Sequence, residues 1–275
     1  MTAPWRSVRV EQCADRDAMI EALFAEGSQG VHEDGDALVT HFPPSEDVQR
    51  IVDALRSLDS HAVIAVADVP AVDWSEWRAN VDAHTVGRLV VTPPWRASEF
   101  DPANSIVIDP AMAFGTGEHP TTRGMLRLMQ LALRPGDTVA DLGAGSAVLS
   151  IAAAKLGATR IAAIEIDDGA EQSALENIRV NSVSDAIRYM VGDATVLLSL
   201  VAPVRVVLAN IVSSVLMEIL PAIAPSLTTD GVAILSGILV EERELMTRAV
   251  ARSGMKIAND DVEGDWLSLL IVRAS

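Results

Sequence analysis

Between residues 139 and 158 the chain reads VADLGAGSAVLSIAAAKLGA, an apolar run that breaks at Asp141-Leu142-Gly143-Ala144-Gly145 and resumes at helical spacing. That order describes a buried strand feeding a helix through a glycine turn, where the backbone approaches a neighbour that any side chain would strike. A strand buried on both faces needs helices on either side of its sheet, which commits the second half of the chain to an open α/β arrangement. Further apolar runs follow at 160–166, 187–191, 205–211 and 232–239, with two more strands near 256–262 and 266–273. Helical spacing fills 148–156, 168–181, 215–224 and 241–253. Two strands after the last helix break strict alternation, so the expectation is a mostly parallel sheet with one antiparallel strand at its edge.

The first part of the chain has a shorter rhythm. Strands are expected at 7–12, 29–33, 37–42 and 61–67, with helices at 15–26 and from a Ser45 cap through Leu58. The order β-α-β-β-α-β is that of a ferredoxin-like fold. We therefore expect a small α+β domain over 1–68, a partly helical linker over 69–85 with its helix near 74–81, and the main domain over 86–275. Brief strands at 87–92 and 105–108 open that domain.

Chemistry gathers at the strand ends. In open α/β sheets ligands bind beyond the carboxyl ends of the strands. Gly143 and Gly145 end the first strand, and the helix that follows favours a ligand's negative group. Glu165 ends the second about twenty positions later, where an acid holds a ribose diol. Asp193 ends the third, placed to accept from an adenine amino group, and Asn210 ends the fourth. Asp167 and Asp168 fit a helix N-cap instead. Nicotinamide enzymes share this logic, but the loop here is G-x-G-S-A rather than G-x-G-x-x-G. Each residue singly also fits an ordinary turn. A second unusual run, AMAFGTGEHPTT over 111–122, makes an adaptable loop that carries Phe114 and His119.

Composition narrows the partners. A net charge of −17 repels phosphate backbones and anionic membranes and attracts basic proteins, although acidity also serves solubility. The single cysteine, Cys13, forms no intramolecular disulfide, and no apolar run approaches the ~20 residues of a membrane span. With no secretory leader either, a cytoplasmic protein is expected. No Cys/His cluster has metal-ligand spacing, so no metal is expected.

Together these segments resemble the ribosomal-protein methyltransferase A (PrmA) family, which methylates amino groups of the eleventh large-subunit ribosomal protein. IDPAMAFGTGEHPTT is similar to that family's most specific signature. DLGAGSAVLSIAAAKLGA, AIEIDDGAEQSALENIRVNSV and LANIVSSVLMEILP match its successive cofactor motifs in order. The connector with Trp74 and Trp77, followed by GRLVVTPPW, is similar to the family's linker. The likeness runs from about residue 70 onward; before that it lies in fold pattern more than in sequence.

The resemblance implies a Rossmann-like, seven-stranded class I methyltransferase sheet that binds S-adenosylmethionine. Thr122, Gly143, Glu165 and Asn210 would contact that cofactor, with Gly145, Asp193 and His119 on the same side. Phe114, Gly115 and Thr116 would lie against its methionine end and the incoming amine. Asn210, Phe114 and Thr116 are thus the catalytic candidates. The small domain would grip a basic ribosomal protein, and the linker would let it swing. No direct nucleic-acid or membrane binding is implied, and a monomer is expected. Asn210-Ile211-Val212 lacks the Pro-Pro-aromatic run that stacks a planar amide, which favours an sp3 amine such as lysine. Ala147 stands where a third glycine is usual, and Glu165 where Asp is usual. The alternatives are a methyltransferase for another protein or a small amine, and a non-catalytic binder of the same cofactor.

Overall fold

A computed structural model describes residues 5–28, 30–35, 37–69, 81–109 and 117–274. The chain divides into two compact units, Met1–Asn80 and Val81–Ser275. In the first, β1 (Arg6–Glu11), α1 (Arg16–Ala25), β2 (Val31–Asp34), β3 (Ala37–Phe42), α2 (Val48–Leu58) and β4 (Val63–Asp68) follow in order. All strand pairs are antiparallel, in the order β2-β3-β1-β4. Alternate strand residues Val8, Val10, Leu38 and Phe42 meet Met19, Leu23, Ile51 and Leu55 from the helices in one core. The cap of α2 is Asp47 rather than Ser45, because the Asp47 carboxylate takes the amides of both Gln49 and Arg50. The linker helix expected near 74–81 falls almost wholly in 70–80, outside the described residues.

The second unit opens with a three-stranded sheet, β5 (His84–Val86), β6 (Leu89–Thr92) and β7 (Ser105–Val107). Then come α3 (Pro120–Ala132), β8 (Thr138–Leu142), α4 (Val148–Lys155), β9 (Arg160–Glu165) and α5 (Glu171–Val180). They are followed by β10 (Ile187–Val191), α6 (Ala194–Val201), β11 (Val204–Asn210), α7 (Ser213–Ser226) and β12 (Leu227–Leu239). Helix α8 (Arg243–Arg252) and strands β13 (Met255–Glu263) and β14 (Trp266–Arg273) complete it. The large sheet runs β10-β9-β8-β11-β12-β14-β13. Alternate residues of its strands enter two cores: Val139, Ile161 and Leu208 in one, Ala140, Ile164 and Ala209 in the other. Both faces are therefore covered, as the continuous apolar runs require.

One expectation fails here. Strand β14 is the antiparallel one, but it lies between β12 and β13 rather than at the edge. Side-chain chemistry decides this. Leu267 to Ile271 are all buried and need a neighbour on each side, whereas β13 carries exposed Asn259 and Asp260 and tolerates an open edge. Two helices also arise where none was drawn: α3, which begins inside the HPTT motif, and the short apolar α6. Among the described residues no helix is long and apolar enough to cross a membrane.

Candidate active site

The glycine turn after β8 is a closed hydrogen-bonded unit. Gly143 sits at φ +70, and a Cβ there would lie 2.5 Å from Cγ2 of Ile211. The amides of Gly143 and Ala144 both donate to the Ile164 carbonyl, at 2.8 and 3.0 Å, and that of Ala147 donates to Ala144 at 2.8 Å. Gly145 donates its amide to Oε2 of Glu165 at 2.8 Å, and the Tyr189 hydroxyl donates to the Gly145 carbonyl at 3.2 Å. The other Glu165 oxygen takes the amides of Ile166 and Asp167, at 2.8 and 3.0 Å. The extra methylene of Glu over Asp is what lets one carboxylate cap its own strand end and reach the glycine turn. Ala147 holds a left-handed conformation that favours glycine, at φ +65, with its methyl fully buried.

Beneath this turn lies Asp141, wholly buried. The Ser150 hydroxyl donates to its Oδ2 at 2.7 Å, while Oδ1 has no hydrogen-bond partner among the described residues. Burial pushes the Asp141 carboxyl up to about 6, against the pull of the Ser150 bonds, and nearby Glu165 adds to the rise. The Tyr189 hydroxyl is likewise raised, first by burial and then by Glu165, Asp141, Glu171 and Asp167. The turn thus faces a strongly negative field, and the amides of 143, 144, 145 and 147 are all engaged within the protein. A pyrophosphate finds repulsion here and few free donors. The carboxyls of Asp141 and Glu165 beside the turn favour a cationic ligand over an anionic one.

The remaining candidates stand at the same strand ends or on α3. Asp193 caps α6: its Oδ1 takes both the amide and the hydroxyl of Thr195 at 2.7 Å, and these bonds hold its carboxyl below the ordinary range. Asn210 closes β11 and donates its Nδ2 to Thr122 Oγ1 at 3.5 Å. Thr122 is buried in the first turn of α3. His119 is the N-cap of that helix, with Nδ1 2.8 Å from Thr121 Oγ1 and its ring edge-on to Trp266 at 4.8 Å between centroids. Pro120 follows at N1, where its missing N–H costs nothing. Hydrogen bonds therefore join Gly145 to Glu165 and Thr122 to Asn210. Phe114, Gly115 and Thr116 lie outside the described residues.

Asp141 and Tyr189 escaped the sequence reading. Asp141 had a signal: an acid inside the apolar strand VADL is costly unless something uses it. Tyr189 had none beyond its place near the end of a strand.

Comparison with known proteins fits this geometry. A family model described as ribosomal protein L11 methyltransferase (PrmA) matches residues 5–274. The ribosomal protein L11 methyltransferase of Pelobacter propionicus is 33% identical over 271 residues, covering 93% of this chain and 82% of its own. That of Bacillus cytotoxicus is 30% identical over 280 residues, covering 96% of this chain and 88% of its own. A crystal structure of the ribosomal protein L11 methylase from Lactobacillus delbrueckii subsp. bulgaricus superposes with a TM-score of 0.63 at 30% identity. It spans 71% of this chain and all of the other.

Proposed function

Because the chain belongs to the ribosomal protein L11 methyltransferase (PrmA) family, we propose that it transfers methyl groups from S-adenosylmethionine to amino groups of ribosomal protein L11. The observation that carries the reading is the glycine turn itself, whose amides are engaged within the protein and whose neighbours Asp141 and Glu165 are acidic. At neutral pH the cofactor's ammonium and sulfonium outweigh its one carboxylate, so it is a net cation and suits that field; a dinucleotide's pyrophosphate does not. When bound, it supplies an electrophilic methyl group.

This chain's residues do the rest. The charge of Asp141, buried beneath the turn, favours the ammonium through the field it sets, and Gly143 brings backbone against the ligand where a Cβ would already meet Ile211. Oε2 of Glu165, which takes one backbone amide, keeps a lone-pair direction for a ribose hydroxyl, while Oε1 is filled by its two. Asp193 takes the adenine amino group, and Thr122 closes the site from α3. A lysine must arrive as the neutral amine, which costs roughly 4–5 kcal/mol at neutral pH. With Nδ2 of Asn210 committed to Thr122, its Oδ1 accepts an N–H of that amine and aims the lone pair. Phe114 and Thr116, outside the described residues, are assigned to the acceptor side by the motif alone. The small Met1–Asn80 unit recognises the protein substrate. The same reading implies a cytoplasmic monomer.

Incubation of the purified protein with radiolabelled S-adenosylmethionine and purified L11 tests this, with mass spectrometry to locate the label. Label on L11 lysines or its N-terminus is expected. Label absent from L11 but present on another protein of a cell extract would reassign the small unit's target. No transfer at all would reject the enzyme reading.

A further inference from the structure

Thr122 and Asn210 come from elements far apart in sequence, and their bond of 3.5 Å is at the limit of hydrogen bonding. Even a small displacement of the first turn of α3 breaks it. Two features press that turn against the sheet. Gly124 lies so close to β14 that an added Cβ would collide with Ser268 Oγ. Ser268 in turn shares a buried hydroxyl bond of 2.7 Å with Ser236, the β12 partner of Asn210 in the strand register.

The second feature is ionic. Arg127 reaches β13, pairing with Asp261 at 2.6 and 2.7 Å and with Glu263 Oε2 at 2.7 Å. Arg123, one turn earlier and next to Thr122, does something Arg127 does not. One arm of its guanidinium donates to the Glu118 carbonyl, just upstream of the helix, while Nε (at 2.8 Å) and the other arm bond Glu263. Arg127 staples the body of the helix to the edge strand, and Arg123 ties the chain's entry into that helix to the same carboxylate. Both arginine side chains are half-buried, at 26% and 35% exposure, so solvent screens these pairs only partly.

We propose that Arg123, bridging Glu118 and Glu263, is a positioning residue for S-adenosylmethionine: it sets the first turn of α3 so that Thr122 meets Asn210 at the cofactor site. The assignment rests on the cofactor reading above, so the test measures that reading separately.

Isothermal titration of the full chain with S-adenosylhomocysteine, alongside thermal unfolding, separates the two. Failure of the wild-type protein to bind would sink the cofactor reading itself. With wild-type binding established, Arg123→Met is expected to weaken affinity about tenfold. Arg127→Met breaks three bonds to β13, one more than Arg123→Met, but leaves Glu118 held; it is expected to lower Tm with affinity changed less than about twofold. Arg123→Lys restores the charge opposite Glu263 without the second arm, and is expected to recover Tm but not affinity. Wild-type affinity in either Arg123 variant, or equal weakening by Arg127→Met, would overturn the proposal.

Discussion

Replacing Asp141 by Asn is expected to stabilise the free protein while weakening its hold on the cofactor. The carboxyl is raised from its ordinary 3.8 to about 6 by complete burial. At about 1.36 kcal/mol per pH unit, that gap amounts to about 3 kcal/mol carried by the folded state when the group is ionised. The direction follows from proton binding. The folded protein holds this proton more tightly than the unfolded chain, so stability is full below pH 3.8. It is lost as pH rises through about 6, and levels off above. Asn mimics the protonated form and still accepts from Ser150. Urea unfolding should therefore show the variant ahead by up to about 3 kcal/mol at pH 8 and by almost nothing near pH 4. Affinity should move the other way. Removing a charge buried beneath the turn takes away about 1 kcal/mol or more of attraction for a cationic ligand, so binding at pH 8 should weaken roughly fivefold or more. A stability gap that stays constant with pH, or a variant weaker than wild type at pH 8, would refute the argument from desolvation.

Three further substitutions probe other parts of the site. Gly143→Ala combines the left-handed penalty with overpacking against Ile211 and should destabilise by roughly 2–4 kcal/mol in chemical denaturation; a neutral result would mean that Ile211 yields. Tyr189→Phe removes the bond to the Gly145 carbonyl, worth about 1 kcal/mol, and should raise the S-adenosylhomocysteine dissociation constant about fivefold with the circular dichroism spectrum unchanged. Unaltered affinity would reduce Tyr189 to a packing role. Asn210→Ala should lower kcat about 100-fold with only a few-fold effect on cofactor binding. Undiminished turnover would remove Asn210 from the mechanism.

The large sheet was readable because most of its strands are apolar runs, those from β8 to β11 end at a glycine or polar residue, and that pattern is local. The place of β14 was not readable. LSLLIVR and MKIANDDVE are both adequate strands, and only competition for two-sided burial puts the first inside and the second at the edge. Helix α6 was missed because ATVLLSLV is too short and too uniformly apolar for periodicity to separate helix from strand. The start of α3 was missed because its cap is a histidine, outside the usual Ser, Thr, Asp and Asn. In the site, Glu165 was placed at the correct strand end, but its bond to Gly145 depends on how two strands lie side by side. Arg123 and Glu263 are 140 positions apart, and nothing in either neighbourhood announces the other.

The insertion of β14 between β12 and β13 also bears on how the protein is made. Seven strands appear on the ribosome in chain order, but the sheet is not filled in that order. When β13 has emerged, β12 still offers an unpaired apolar edge, and β13 has no partner until β14 pairs with both. The sheet closes only after residues 266–273 have been synthesised, by threading the last-made strand into an interior slot. A nascent chain stalled or cut just short of that stretch would present the hydrophobic side of β12 to its neighbours, a template for aggregation rather than a slightly shortened enzyme.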